Sequence, residues 1–297
     1  MKSKAELWLV LLVLAGFLTA AAGTECPPVE EPETEVFSLM SANTTSGNYS
    51  EYEGPGIRIF QGLAPDVVLI QEFSYDGNLR DLVDEAFGTE FDYYVEPGDE
   101  NLPNGVVSRF PILSSGQWVD AEVPDRDFAW AVIDIPGTID LQVVSIHLKS
   151  GSGDAGIRSN QATAIKAYVA NYFDPGHFIA VGGDLNIYNT SESAMDTFRT
   201  FLAADNHIPV DQDGNANTSE PRSKPYDWVM PNALLDAIHT TFTVGTDLFP
   251  EGLVFDSWVY PAPLPSPILY GDSHVTGMQH MAVMKAYEVT LPAEMVQ

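Results

Sequence analysis

The sequence predicts a layered α/β domain, in which helices cover β-sheets. Short apolar runs bounded by turn residues alternate with stretches of helical spacing, which is not the pattern of a helical bundle. In addition, 45% of the 297 residues are hydrophobic, which is enough for a large buried core. Strands are predicted at residues 36–40, 67–71, 105–108, 128–134, 141–147, 178–182, 227–230 and 281–289.

Helices are predicted between these strands at residues 77–87, 156–172 and 191–204, with apolar residues such as Ala162, Ile165 and Val169 at helical spacing. Segments rich in Gly, Pro, Asn and Asp predict loops at residues 98–104, 211–225 and 260–267. The sequence contains no tandem repeat and no linker after Pro32. Residues 36–291 are therefore predicted to form one domain.

The N-terminus has the layout of a secretory signal: Lys2 and Lys4, an apolar run over residues 7–18, and small residues up to position 22. Residues 1–22 are therefore predicted to be a signal peptide, followed by an acidic, Pro-rich tether over residues 23–35. The predicted location is secreted or periplasmic. Cys26 resembles a lipoprotein attachment point, but Glu25 stands where a small residue is expected, so a lipid anchor is disfavoured.

Acidic side chains dominate the composition, with 42 Asp and Glu against 13 Lys and Arg, a net charge of −29. Such a surface repels phosphates at long range, which excludes a protein that coats DNA through counterion release. An enzyme acting on a polyanion stays compatible if cations or a metal are concentrated in one cleft. Cys26 is the single cysteine, so the chain has no intramolecular disulfide and its stability comes from the core.

Three predicted strands end in polar side chains. The strand at residues 178–182 leads through two glycines to Asp184 and Asn186, which lie on one side of an extended chain. Glu72 follows the strand predicted at 67–71, whose residues 67–70 are apolar, and is a candidate metal ligand. His147 and Lys149 follow the strand at 141–147 and could donate a proton and supply charge. Each has a plainer reading, as a turn residue or an exposed strand end.

Two C-terminal strands begin with polar residues. His280 precedes the last strand and is a candidate base, which a carboxylate such as Asp227 could orient. Five strands thus deliver an acid, amide or histidine at an end, which predicts that these residues converge. The scarce positive charges near these segments favour an anion site, and they are Arg109, Lys149, Arg158, Arg222 and Lys224.

Taken in order, these motifs resemble the endonuclease/exonuclease/phosphatase superfamily, from about Val36 to Val289. They are Asn43 after the first strand, Gln71-Glu72, Ser108-Arg109-Phe110-Pro111, His147, Gly183-Asp184-Leu185-Asn186, Tyr226-Asp227-Trp228-Val229 and His280 with Val283. The resemblance implies a four-layer α/β/β/α sandwich of two packed mixed β-sheets with outer helices. It also implies an active site at the edge where loops of both sheets meet.

The resemblance also implies roles for these residues. Glu72 would bind Mg²⁺, with Mn²⁺ or Ca²⁺ as alternatives, and Asn43 would hold metal or phosphate. Asp184 and Asn186 would position water and phosphate, while His147 and His280, the latter backed by Asp227, would flank the phosphorus. Glu96 would orient His147. From their positions in or near the motifs, Arg109, Lys149 and Arg222 are predicted to contact substrate. Which histidine is the acid stays open.

One departure from the family pattern concerns the metal site. Superfamily members usually end in Ser-Asp-His, whereas this chain has Met278-Gln279-His280. The amide oxygen of Gln279 can still ligate a cation, but the loss of a negative charge is expected to weaken binding. Asp272, seven residues before Gln279, is an alternative ligand if the loop folds back.

The predicted function is that of a secreted, divalent-metal-dependent phosphoric ester hydrolase, foremost a nuclease acting on DNA or RNA, with no stable protein partner and a monomeric state. The alternatives are a sphingomyelinase or phospholipase C, with residues 260–270 as a membrane-binding segment, or a phosphatase of inositol phosphates and other small esters. A further alternative is a catalytically silent surface binding protein.

Overall fold

The structure is a computed structural model that describes residues 32–44, 53–75, 77–97 and 102–292. The predicted signal peptide, Cys26 and most of the predicted tether lie outside the described residues. Within these ranges, no helix combines the length and the hydropathy that crossing a bilayer requires.

The first sheet is mixed. Its described strands are β1 (Thr34–Asn43), β2 (Val67–Gln71), β3 (Asp92–Val95), β4 (Gly105–Ser108), β10 (His239–Thr240), β13 (Leu253–Val254) and β14 (Val283–Thr290). They follow the order β10-β14-β1-β2-β4-β3, and β13 also pairs with β14. β1 and β2 are parallel, whereas β14 and β4 run antiparallel to their neighbours β1 and β2.

The second sheet contains β5 (Ile112–Trp118), β6 (Phe128–Ile133), β7 (Leu141–His147), β8 (Phe178–Asp184) and β9 (Asp227–Pro231), in that spatial order. β7 and β8 are parallel, and the other neighbours are antiparallel. A separate antiparallel pair is formed by β11 (Phe242–Val244) and β12 (Asp247–Phe249).

Helices cover the outer face of each sheet. α1 (Glu53–Leu63) and α2 (Leu79–Ala86) share a core with the first sheet, and α3 (Ala155–Tyr172) and α4 (Ser193–Phe198) share another with the second. The single-turn α5 (Ala233–Asp236) follows β9, and Asp272–His274 form a 3₁₀ turn.

The two faces of β2 show why four layers form. Val68 and Ile70 pack into the core beneath α1 and α2, whereas Val67 and Leu69 pack into the core between the two sheets. Successive side chains of a strand point to opposite faces, so the apolar run 67–70 is covered on both sides. The predicted four-layer α/β/β/α sandwich of two mixed sheets is confirmed.

The strand directions gather polar ends at one edge of the sandwich. In the parallel pairs, Asn43 is in register with Gln71 and His147 with Asp184. Antiparallel β9 begins at the same edge, because Asp184 pairs with Asp227. The start of β14 lies there too, since Val283 pairs with Ser41.

Helix α1 was absent from the sequence prediction. Its first turn contains Gly54, Pro55 and Gly56, and two glycines lower helix propensity by about 1 kcal/mol each. Pro55 is tolerated in a first turn, where its missing N–H has no intrahelical partner. Burial of Ile57 and Phe60 against the first sheet compensates for the weak propensity.

Candidate active site

One carboxylate oxygen is the centre of the site. Oδ2 of Asp184 accepts from Nδ2 of Asn43 at 3.2 Å and from Nδ2 of Asn186 at 3.1 Å, and Nε2 of His147 lies 3.3 Å away. Nε2 of His280 lies 3.6 Å from the same oxygen. The predicted residues of four separate strand ends therefore meet around Asp184, whose exposed fraction is 1%.

His280 bridges two buried carboxylates. Its Nδ1 lies 3.0 Å from Oδ2 of Asp227, and its Nε2 faces Asp184. Burial opposes charge on the imidazole, but the two carboxylates outweigh it and raise the pKa of His280 to about 9. Burial likewise opposes ionisation of Asp184, yet the charges of His280 and His147 hold its pKa below the usual value. At neutral pH the site therefore contains an imidazolium beside an ionised carboxylate.

Glu72 lies beside this centre, where its Oε1 accepts from Nδ2 of Asn43 at 3.3 Å. The backbone of Glu72 has φ of 52°, and that of Asn186 has φ of 50°. Non-glycine residues are uncommon in this left-handed region, and such residues cluster at functional sites because the surrounding structure must hold them. Here both turn their side chains toward Asp184 or its neighbour Asn43.

Gly183 lets the two parallel strands of the second sheet close at the site. Its φ is 141°, and a Cβ at this position would collide with the carbonyl oxygen of Ile146. A glycine is therefore required one residue before Asp184, which explains the glycine pair in the sequence.

A buried hydrogen-bonded pair joins the two sheets beneath the site. Nε2 of Gln71 donates to Oγ of Ser145 at 2.9 Å, and that hydroxyl donates to the carbonyl of Ile70 at 2.9 Å. Gln71 and Ser145 are fully buried. This link fixes β2, which leads to Glu72, against β7, which ends at His147. Sequence reasoning missed it, and the signal was a polar residue at an apolar position in each strand.

Arg158 is a structural clamp behind the site. Its guanidinium binds Glu192 through two bonds of 2.8 and 3.0 Å and donates to the carbonyls of Lys149 and Gly151. Arg158 is fully buried. It therefore joins the loop after His147 to the segment after Asn186, and its position near the motifs reflects this link and not anion binding.

Two cations predicted to contact substrate are placed elsewhere. Ser108 pairs with Val67 at the start of β2, so Arg109 lies at the opposite end of the sheet from Glu72, where it binds Asp66 at 2.6 Å. Arg222 is held by Asp211 and Asp256. Because both guanidinium groups are already paired with carboxylates other than Asp184, neither is free to bind a substrate phosphate.

The remaining predicted groups lie at the rim or apart. Lys149 is half-buried two residues beyond His147, and Gln279 is exposed beside His280. Asp272 binds Arg58 through both carboxylate oxygens, at 2.5 and 2.9 Å. The carboxylate predicted as the alternative metal ligand is therefore already paired with a guanidinium group.

Glu96 is nearly buried, and burial raises its pKa to about 7. Its Oε2 accepts from the backbone of Asp127 at 3.1 Å. In the described part of the chain, no hydrogen bond joins it to His147, although Oε1 of Glu96 and Nδ1 of His147 are both buried without a hydrogen-bond partner. Glu96 and His147 therefore each have an unpaired atom available for the predicted hydrogen bond, but the two residues do not form it.

The donor set fits a divalent cation. Ligand atoms of Asp184, Asp227 and His280 lie within 4.8 Å of one another, and Oδ1 of Asp227 is a buried acceptor without a partner. Glu72 adds a third carboxylate close by. Carboxylate oxygens are the ligands that Mg²⁺, Mn²⁺ and Ca²⁺ prefer, whereas an imidazole also suits transition metals.

Comparison with known proteins agrees with this geometry. The sequence model of the Endonuclease/Exonuclease/phosphatase family matches residues 57–252. No curated protein matches the chain.

Solved structures share the fold at low identity. An endonuclease/exonuclease/phosphatase from Beutenbergia cavernae is 16% identical with a TM-score of 0.57, covering 87% of this chain and 72% of that one. TDP2 of D. rerio, complexed with a single-strand DNA product, is 14% identical with a TM-score of 0.59, covering 86% and 99%. Beta toxin from Staphylococcus aureus is 16% identical with a TM-score of 0.53, covering 84% and 99%.

Proposed function

This chain belongs to the endonuclease/exonuclease/phosphatase family of phosphoric ester hydrolases, and we propose that it is an exported, divalent-metal-dependent nuclease. The observation that carries the proposal is the set of contacts around Asp184, where two histidines and two amides surround one ionised carboxylate. Phosphodiester hydrolysis needs a water activated on one side of phosphorus and positive charge on the other.

Asp184 is the proposed acceptor of the proton from the attacking water. Its low pKa keeps it ionised, and Asn43 and Asn186 fix its orientation. His147 and His280 flank the same carboxylate, so a water that gives its proton to Asp184 would have an imidazole on either side.

His280 is the proposed source of positive charge for the phosphoryl oxygens. Asp227 holds its imidazole at 3.0 Å and favours the protonated form. Charge fixed in a buried site stabilises the extra negative charge of the transition state at little reorganisation cost. His147 occupies the other side of Asp184, where it would bond a leaving or non-bridging oxygen.

Glu72, Asp184 and Asp227 are the proposed ligands of the cation. When bound, the ion would polarise the phosphoryl group as a Lewis acid. The three carboxylates also repel a phosphate until a cation neutralises them, which gives a physical reason for metal dependence in this chain.

Nucleic acid is the proposed substrate, because the D. rerio structure of the same fold contains a single-strand DNA product. Export is proposed from the signal-like layout of residues 1–22. A nuclease outside the cell meets divalent cations that screen its acidic surface.

A substrate panel tests this function. Single-stranded DNA, duplex plasmid, RNA, sphingomyelin vesicles, inositol phosphates and bis(p-nitrophenyl) phosphate would be assayed with Mg²⁺, Mn²⁺, Ca²⁺ or EDTA. We expect cleavage of DNA or RNA that EDTA abolishes and that His280→Ala lowers at least about 100-fold. His177→Ala is the matched control, since His177 faces Asp140 at 3.9 Å outside the site.

Hydrolysis of the lipid or of the inositol phosphates without cleavage of nucleic acid would contradict the nuclease proposal and support the corresponding alternative. Inactivity toward every ester with all three metals would favour a silent binding protein.

A further inference from the structure

A buried ion network lies outside the set of residues around Asp184. Asp256 is 2% exposed, and its carboxylate binds Nε of Arg222 at 3.0 Å and Nε2 of His274 at 2.7 Å. The side chain of His274 is equally buried, and its Nδ1 lies 3.4 Å from Glu220. None of these groups contacts Asp184, so the proposed hydrolysis gives no reason for a network that is costly to bury.

The network ends in an exposed aromatic ring. The indole of Trp258 stacks on His274, with ring centroids 3.5 Å apart and planes at 4°. The backbone N–H of Trp258 donates to the same carboxylate of Asp256 at 2.9 Å. Trp258 is nevertheless 51% exposed. One face of the indole is therefore packed against a fixed imidazole, and the exposed surface of the ring is held in one orientation.

The surroundings of Trp258 are exposed and apolar. Tyr270 is 74% exposed and Leu269 is 56% exposed, and a Cβ on the next residue, Gly271, would lie 3.4 Å from the indole nitrogen. Two reciprocal hydrogen bonds between Ser257 and Ser273, at 2.9 and 3.0 Å, join the two segments that carry these side chains. The surface is thus rigid at its base.

This surface is connected to the active site through the backbone. The carboxylate of Glu220 faces His274, and the backbone N–H of Glu220 donates to the carbonyl of Gln279 at 2.7 Å. The preceding residue, Ser219, forms a β-bridge with His280. The stacked pair of Trp258 and His274 therefore lies beside the segment that carries the catalytic His280, on the side of Gln279.

Phosphate contacts offer little affinity for a nucleic acid strand. Every arginine in the described ranges forms an ion pair with a carboxylate, and these are Arg58, Arg80, Arg109, Arg126, Arg158, Arg199 and Arg222. The net charge of −29 opposes the backbone of the substrate. A nucleic acid that binds this protein therefore needs affinity from its bases, and unstacked bases are accessible only in single-stranded nucleic acid.

We propose that Trp258, backed by His274 and close to the exposed segment that ends at Gly271, is a stacking platform for an unpaired nucleobase of a single-stranded substrate. This inference rests on the proposed nuclease function and specifies its substrate class. A rigid aromatic side chain loses little conformational entropy on binding, and stacking on a base tolerates any sequence. The buried Asp256 network then has a role, which is to orient the platform.

The test compares Trp258→Ala and Trp258→Phe with the wild type. Steady-state kinetics would be measured on a single-stranded oligonucleotide, on the duplex of the same sequence and on bis(p-nitrophenyl) phosphate. We expect Trp258→Ala to raise KM for the single strand about tenfold, with kcat within about twofold, because the variant loses the stacking of one base. Hydrolysis of the small ester should be unchanged, and Trp258→Phe should restore most of the affinity. Leu113→Ala, at a 57% exposed position on β5, is the control.

Binding without cleavage separates this inference from the proposed function. Fluorescence anisotropy of a labelled single-stranded phosphorothioate oligonucleotide, which resists cleavage, would be measured with Mg²⁺ for the wild type and Trp258→Ala, together with sedimentation of phosphatidylcholine–sphingomyelin vesicles.

Weaker oligonucleotide binding by the variant supports the platform even if no cleavage is found, whereas absent cleavage with intact ester hydrolysis contradicts only the nuclease proposal. Equal binding by variant and wild type overturns the platform. So does an equal loss on the small ester, or a loss confined to vesicles, which would identify a lipid-binding surface.

Discussion

Nδ1 of His280 lies 3.0 Å from Oδ2 of Asp227, and both side chains are almost fully buried. This contact orients the imidazole so that its other nitrogen faces Asp184. It also raises the pKa of His280, because a buried negative charge favours the protonated ring. The strand start that carries Asp227 therefore determines both the orientation and the charge of the proposed catalytic histidine.

Replacement of Asp227 by Asn should separate this role from packing. Asp227→Asn keeps the shape but removes the charge, so the pKa of His280 should fall and kcat should drop about 100-fold or more. The measurement is kcat on bis(p-nitrophenyl) phosphate over pH 5–9 and the His280 titration by NMR. Asp140→Asn, which alters a partly exposed Asp–His pair outside the site, is the matched control. Unchanged kcat would show that Asp227 does not act through His280.

The structure predicts opposite outcomes for two basic residues. Lys149 lies just beyond His147, and Arg109 lies at the far end of β2, paired with Asp66. Lys149→Ala should raise KM for an oligonucleotide about threefold, since a partly exposed charge contributes up to about 1 kcal/mol. Arg109→Ala should leave KM unchanged. A larger effect at Arg109 would contradict the placement of the site.

Position 279 tests the departure from the family pattern. Gln279 is exposed next to His280, and its carbonyl is fixed by Glu220. Gln279→Asp adds a negative charge near the proposed metal ligands and should tighten Mg²⁺ binding about fivefold, from about 1 kcal/mol of Coulomb attraction. Isothermal titration with Mg²⁺ measures it, and Gln61→Asp on α1 is a control for added charge. Equal affinities would place position 279 away from the ion.

The fold and the convergent residues were predictable because polar or turn residues mark both ends of each apolar strand. Residues 67–70 are apolar at every position, and the strand ends in Gln71 before Glu72, so the sequence indicates a strand buried on both faces and its polar end. The sequence of such a run does not show whether the strand pairs parallel or antiparallel with its neighbours. These directions place Glu72 beside Asn43 in the site, and they place Arg109, after antiparallel β4, at the opposite end of the sheet.

Pairings between distant loops were not predictable. Arg222 stands five residues before Asp227, close enough in sequence to suggest an anion contact, but its partners Asp211 and Asp256 come from other loops. The amino-acid composition shows only that Asp and Glu residues outnumber arginines. Which carboxylate captures which arginine depends on loop conformation, which local sequence does not encode.

The buried ammonium group of Lys285 destabilises the folded state from within the sandwich. It lies on β14 between Val283 and Tyr287, two residues of the core between the sheets, and is 2% exposed. Its Nζ donates to the carbonyl of Asn206 at 3.1 Å, and among the described residues no carboxylate forms an ion pair with it. Burial lowers the pKa of Lys285 to about 8, against the small opposing effect of Asp236 and Glu251.

Lys285→Met should therefore stabilise the protein at neutral pH. In the unfolded chain the ammonium has its ordinary pKa, near 10.5, so below pH 8 both states are protonated and the folded state carries the full penalty of a buried charge. Between pH 8 and 10.5 the folded state releases the proton first, and the wild type regains stability. The variant should exceed the wild type by about 1–3 kcal/mol at pH 7, and the difference should shrink by pH 10.

Urea unfolding at pH 7, 8.5 and 10 measures this difference, with Lys166→Met on α3 as a control for the loss of a partly exposed lysine. A Lys285→Met protein that is less stable than the wild type at pH 7 would mean that the bond to Asn206 outweighs the cost of burial. A difference that stays constant from pH 7 to 10 would show that Lys285 does not titrate in this range in the folded state.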